Sequence, residues 1–194
     1  MIAIVDYKMG NLRSVENALR RLGADFVVTA DADAISRADK VLLPGVGNAA
    51  EAMDNLRAAS LVDVVRSLRR PVLGICVGMQ VMCRHSEEGD VDCLNLFDAR
   101  VKRFAPSADL KVPHMGWNTI GNLESKLFKG IDGGEYVYFV HSYYPELCPD
   151  TIATSRHGVM FSAALKYENF YGTQFHPEKS GDVGERIIEN FLRL

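Results

Sequence analysis

Short apolar runs at residues 2–5, 26–29, 41–43 and 72–75 alternate with stretches of helical spacing at 12–22, 49–57 and 61–68, and this alternation leaves few folds open. In the first unit the run Ile2–Val5 precedes Leu12, Val15, Ala18, Leu19 and Leu22, which share one helical face and stop at Gly23. Strands this short and apolar have no polar side, as a parallel sheet covered on both faces requires. From about residue 95 the pattern changes to extended runs at 99–104, 117–120, 136–140, 152–155 and 170–175, which predict an antiparallel extension of the sheet. Val183, Ile187, Ile188, Phe191 and Leu192 restore the helical period and predict a last helix packed back on the sheet. The expected fold is α/β, with an open, mostly parallel central sheet flanked by helices and an antiparallel extension in the second half.

A chain of 194 residues suits one domain, expected over 1–194, with no internal repeat or low-complexity linker to divide it. A formal charge of -3, with no basic run longer than Arg69-Arg70, gives no reason to expect nucleic acid or an anionic membrane as partner. The four cysteines at 76, 83, 93 and 148 contain no C-x-x-C pair and no metal-like grouping with the five histidines. Neither a disulfide framework nor a metal site is expected, and a reducing compartment fits. No basic leader precedes an apolar segment, and no stretch of about eighteen apolar residues occurs, so the expected location is the cytoplasm.

Ligands of open α/β sheets gather at the carboxyl ends of the strands, and three loops leaving such ends carry chemistry-bearing residues. In Gly74-Ile75-Cys76-Val77-Gly78-Met79-Gln80 an apolar strand stops at a cysteine between two glycines. Glycine removes the Cβ that would block a sharp strand-to-helix turn, so the thiol can project, with a helix start behind it favouring the thiolate. Taken alone, this cysteine would equally fit core packing. Pro44-Gly45-Val46-Gly47 follows the run at 41–43 and could turn backbone N–H groups toward a ligand, or be an ordinary tight turn. In Gln174-Phe175-His176-Pro177-Glu178-Lys179-Ser180 a strand ends in a histidine and a carboxylate held in relation by a proline. Cysteine to attack, imidazole to move the proton and carboxylate to orient the ring form a working set if they meet in space. His85 and His157 stand in polar surroundings and read as surface residues, while His114 and His141 have no assignable role.

These three segments, in this order and spacing, resemble the signatures of class I (triad-type) glutamine amidotransferases, whose fold is flavodoxin-like. Within that family, Val5-Asp6-Tyr7-Lys8-Met9-Gly10-Asn11-Leu12, Val112-Pro113-His114-Met115-Gly116-Trp117-Asn118 and Glu178-Lys179-Ser180-Gly181 are similar to the glutaminase subunits of imidazole glycerol phosphate synthases of histidine biosynthesis. Lys8, where a small residue is more usual, and Asn48 depart from the pattern without touching the three residues.

The resemblance implies that Cys76 attacks the side-chain carboxamide of glutamine, His176 protonates the departing ammonia and Glu178 orients the imidazole. It implies an oxyanion hole from Val77 and Gly47, and glutamine contacts from Gly45, Gln80, Ser142 and Tyr143, with no cofactor. Ammonia needs an acceptor site that this chain is too short to hold as well. The resemblance makes that partner a (β/α)₈-barrel cyclase subunit in a heterodimer, reached through Asn11, Pro113, Met115, Trp117, Tyr138 and Lys179. The residues alone leave Met115, Trp117 and Tyr138 as core, Asn11 as a helix cap and Lys179 as a solvated charge. A peptide between glycines at 45–47 rotates cheaply, so the loop is also a candidate switch for activation by the partner. The alternatives are a glutaminase subunit for another synthase, which should lack His114-Met115-Gly116-Trp117, a stand-alone cysteine hydrolase, and a non-catalytic binding subunit.

Overall fold

A computed structural model of the chain describes residues 1–106 and 110–194. The first half alternates β1 (Ile2–Val5), α1 (Leu12–Arg21), β2 (Phe26–Thr29), α2 (Ala32–Arg37), β3 (Lys40–Gly45), α3 (Ala49–Ala58), α4 (Val62–Ser67), β4 (Val72–Cys76) and α5 (Val77–Gln80). The second half holds β5 (His85–Ser86), β6 (Val91–Asp92), β7 (Arg100–Arg103), β8 (His114–Thr119), β9 (Tyr136–His141), β10 (Tyr143–Pro145), β11 (Thr151–His157), β12 (Val159–Tyr167), β13 (Phe170–Thr173) and α6 (Gly181–Leu192).

Seven strands form the main sheet in the order β11-β12-β13-β4-β3-β1-β2. The five from β13 to β2 are parallel, and β12 and β11 continue the sheet antiparallel. Every residue of β1, β4 and β13 is buried, which explains why β1 and β4 read as unbroken apolar runs. On α1 the buried face is Val15, Ala18 and Leu19, and Gly23, at φ +65, turns the chain off the helix in a conformation that suits glycine. The last helix buries Ile187, Ile188 and Phe191 as its period predicts.

The extension is narrower than the sequence predicts. The run at 170–175 lies inside the parallel part, between β4 and β12, while β7 and β9 belong to a four-stranded and a two-stranded sheet beside the main one. Two elements give little sequence signal. Strand β12 buries Phe161-Ser162-Ala163-Ala164-Leu165, where Ser and Ala mask its β character. Helix α2 is one and a half turns with only Ile35 buried, started by the Asp31 carboxylate accepting from the Ala34 N–H at 2.7 Å. Register places Gly45 opposite Cys76, and Ile75 opposite Thr173, so the ends of β3, β4 and β13 open together. Among the described residues no helix is long and apolar enough to cross a membrane.

Candidate active site

Cys76 ends β4 at φ 55 and ψ -112, a strained conformation for a residue with a Cβ, and one that aims the side chain out of the sheet. The reversal depends on Gly78: a Cβ there would stand 1.8 Å from the Leu43 carbonyl oxygen on β3. Gly74 is confined as well, since its Cβ would lie 2.8 Å from the Gly78 backbone. The helix behind the sulfur is a single turn, Val77–Gln80, so a helix dipole contributes less than the sequence suggests.

After β13 the chain brings His176 and Glu178 to the same place. The His176 N–H donates to the Tyr138 carbonyl of β9 at 2.9 Å, and Pro177 opens a tight turn, Pro177–Lys179. His176 Nδ1 meets Glu178 Oε1 at 2.8 Å, with the two side chains 1% and 3% exposed. Burial alone pushes the imidazole toward its neutral form, but the Cys76 sulfur and the Glu178 carboxylate outweigh it and lift the pKa to about 10. Nε2 is buried without a conventional hydrogen bond, although the Cys76 sulfur is near enough to bias the ring toward the imidazolium.

These groups face a cavity of about 150 Å³ whose wall includes Val46, Gly47, Val77, Gln80, Ser142 and Tyr143. Gly45 is not in that wall: it packs behind it, where a Cβ would come 2.5 Å from the Gly78 nitrogen. The Tyr7 hydroxyl donates to the Pro44 carbonyl at 2.7 Å and braces the loop, and burial pushes that hydroxyl's pKa well up. Asn48 has a local role, capping α3 by accepting from the Ala50 and Glu51 N–H groups at 2.8 and 3.2 Å. The Gln80 amide NH2 is engaged inside the protein, by the Tyr143 carbonyl at 3.0 Å and Gln174 Oε1 at 2.9 Å, so only its buried Oε1 lacks a partner.

Sequence reasoning missed Glu88, a carboxylate in the cavity wall. It stands in Glu87-Glu88-Gly89-Asp90, an acidic run that reads as solvated, yet its Oε2 accepts from the Ala49 N–H at 2.9 Å and burial raises its carboxyl pKa.

The candidate partner residues divide. Met115 and Trp117 are 64% and 55% exposed on the outer side of β8, which rules out the core reading for both. Tyr138, half-buried on β9, meets Trp117 edge-on at 6.0 Å and takes a place beside the site, its N–H donating to Ser180 Oγ at 2.9 Å. Pro113 and Asn11 are exposed, and Asn11 precedes α1 without a side-chain capping bond. Lys179 is half-buried on the turn that carries Glu178.

The other face of the β8–β9 hairpin is polar inside. His114 Nδ1 and His141 Nε2 are 2.9 Å apart, and burial depresses the two pKa values to about 4 and about 3. His157, expected at the surface, is half-buried and stacks on His114 at 4.2 Å, and His85, also expected there, is held between Asp90 and Asp92 with a side chain only 14% exposed. All four cysteines are free thiols, and no metal-holding cluster occurs among the described residues.

Residues 3–194 match the model of the family described as glutamine amidotransferase class-I. The chain is 57% identical over 194 residues to imidazole glycerol phosphate synthase subunit HisH of Bacteroides thetaiotaomicron, covering 100% of this chain and 99% of that protein. It is 48% identical to the subunit of the same name from Idiomarina loihiensis, covering 100% and 97%. Among solved structures, a putative GMP synthase subunit from Thermoplasma acidophilum superposes with a TM-score of 0.74 at 24% identity, over 99% of this chain and 92% of that one. A structure described as a glutamine amidotransferase gives 0.75 at 19% identity, over 99% and 97%, and these two show likeness of fold.

Proposed function

The chain belongs to the class-I glutamine amidotransferase family, and from that premise we infer that it is the glutamine-hydrolysing subunit of an imidazole glycerol phosphate synthase. The observation that carries the reading is a buried imidazole held through Nδ1 by Glu178, with Nε2 left for the sulfur of a strained, outward-aimed Cys76.

In this reading residues 1–194 form one cytoplasmic glutaminase domain. The Cys76 thiolate attacks the glutamine carboxamide carbon, and the N–H groups of Val77 and Gly47 stabilise the oxyanion. The His176 imidazolium donates its Nε2 proton to the leaving ammonia, forming a thioester. Water, deprotonated by the now neutral imidazole, then releases glutamate. Glu88, the carboxylate of the cavity wall, complements the α-ammonium of glutamine, and the Gln80 Oε1 is a second acceptor for it. Ser142 and Tyr143 supply the opposite wall. A stand-alone cysteine hydrolase would give no use for an exposed Met115 and Trp117 beside the site.

The partner is a (β/α)₈-barrel cyclase subunit docking on Met115, Trp117, Tyr138, Pro113, Asn11 and Lys179, and using the ammonia on a phosphorylated ribulosyl aminoimidazole carboxamide. Glutamate release by the purified chain alone is expected to be low and to rise when the cyclase and its substrate are added. Full turnover by the chain alone would sink the activation mechanism, and no turnover with any cyclase would sink the assignment.

Glu178→Gln tests the orienting role through pH. Because Glu178 helps raise the His176 pKa, the imidazolium that protonates ammonia persists at neutral pH and is lost as the pH rises toward about 10. The amide should cut kcat/KM on the order of a hundredfold and move the alkaline limb to lower pH by about one unit. A limb that stays in place would show that the carboxylate does not act on the ring.

A further inference from the structure

The interior of the hairpin holds a hydrogen-bond chain whose direction is fixed at every link. Asn118 Nδ2 donates to the Arg156 carbonyl at 2.9 Å while Asn118 Oδ1 accepts from the Thr119 N–H at 2.8 Å, so backbone groups settle which way this amide faces. The same NH2 lies 3.1 Å from His114 Nε2, which must therefore accept. The His114 proton is then on Nδ1, donated to His141 Nε2 at 2.9 Å, and the His141 proton on Nδ1 goes to the Tyr143 carbonyl at 2.7 Å. That carbonyl also accepts from Gln80 Nε2. The second Gln80 proton goes to Gln174 Oε1, which leaves the Gln174 NH2 to donate to the Cys76 sulfur at 3.6 Å.

We propose that His114, His141 and Gln174 are positioning residues of the glutaminase site, a relay of neutral groups that fixes the Tyr143 carbonyl, the Gln80 amide and a donor to the Cys76 sulfur. Each end of the relay has a distinct consequence. At the pocket it keeps Gln80 Oε1 as the outward acceptor, because both amide protons are claimed by carbonyl oxygens. At the nucleophile an N–H aimed at the sulfur supplies a donor to the negative charge that the attacking sulfur carries. Protonating either histidine would set N–H against N–H, at Asn118 for His114 and at His114 for His141. Burial holds both rings neutral across the range in which glutamine is hydrolysed. The aromatic surroundings, Phe104, Phe139 and Phe161, pack the rings without offering another hydrogen-bond partner.

The relay rests on the glutaminase reading for its purpose, but its test does not need turnover. In the purified full chain, iodoacetamide labelling of Cys76 is followed by mass spectrometry, with Cys76→Ala as the blank for the other three thiols. His141→Phe keeps a ring and removes the donor, and should slow labelling at neutral pH about tenfold and raise the KM for glutamine several-fold more than it lowers kcat. His141→Asn returns an N–H near the Nδ1 position and should recover most of both. Gln174→Met, which removes the donor to sulfur, should slow labelling by about the same factor, and it stands as the second arm if His141→Phe does not fold. Labelling at the wild-type rate in either His141→Phe or Gln174→Met overturns the proposal, as does an asparagine variant no better than the phenylalanine one. Absence of glutamine hydrolysis in the wild-type complex would instead sink the functional assignment and leave the labelling result to decide the relay.

Discussion

Cys76→Ala is expected to abolish glutamine hydrolysis and glutamine-dependent synthesis while the complex with the proposed cyclase keeps its ammonia-dependent synthesis. Loss of a nucleophile removes the covalent route, and the residual binding and oxyanion groups leave a rate lower by on the order of 10⁴-fold or more. Ammonia supplied from solution bypasses Cys76, so the cyclase reaction should run close to the wild-type rate. Loss of both activities would contradict the division of labour, and retention of glutamine hydrolysis would remove Cys76 from the mechanism. The strained backbone adds a second, independent reading. Alanine keeps a Cβ at φ 55 and should leave stability nearly unchanged, whereas Cys76→Gly relieves the conformation and should stabilise the inactive chain by about 1 kcal/mol. Chemical denaturation of the two variants measures that difference. On the proposed role of Cys76, a nucleophile held against its backbone preference is stability given up for aim.

What could be read from the sequence depended on whether the signal was local. The parallel half was legible because β1, β3 and β4 are buried on both faces and so leave unbroken apolar runs, and because α1 repeats its buried residues at helical spacing before Gly23. The cysteine turn was legible because Gly74 and Gly78 answer a steric need that only glycine meets. Register across the sheet was not, since nothing in residues 170–175 says that Thr173 pairs beside Ile75 rather than on an edge. Glu88 was hidden for a related reason: a carboxylate between Glu87 and Gly89 looks solvated until α3, which owns the Ala49 N–H it accepts from, is packed against it. The orientation of Gln80 was likewise unreadable, because its partners Tyr143 and Gln174 are 63 and 94 residues away. The exposed Met115 and Trp117 were recognisable as a motif by resemblance, and only the alternation of β8, with His114 and Asn118 inward, separates an outer face from a core.

Gly78→Ala should be the most damaging single methyl group in the chain. Its Cβ would sit 1.8 Å from the Leu43 carbonyl oxygen, 2.9 Å from the Leu43 carbonyl carbon and 3.3 Å from that of Pro44, all backbone atoms of β3 that no side-chain rotation can clear. Relief requires α5 and β3 to part, but β3 is bonded to β4 through the Gly45 and Cys76 register, so the parting strains the sheet at the site itself. The expected cost is about 3 kcal/mol, read as a lower denaturant midpoint at unchanged slope. Gly23→Ala is the contrast, with nothing within 4 Å of the added Cβ and only the φ of +65 to oppose it, which predicts a loss of about 1 kcal/mol. The two alanines also differ in function. Gly23 lies remote from the cavity and its variant should hydrolyse glutamine normally once folded. Displacing β3 moves Gly45 to Gly47 away from Cys76, so Gly78→Ala should lose kcat by on the order of a hundredfold even where it remains folded, the size expected for a displaced oxyanion donor. Equal midpoints for the two variants, or full activity in Gly78→Ala, would show that β3 and α5 separate freely and that the elbow does not depend on their contact.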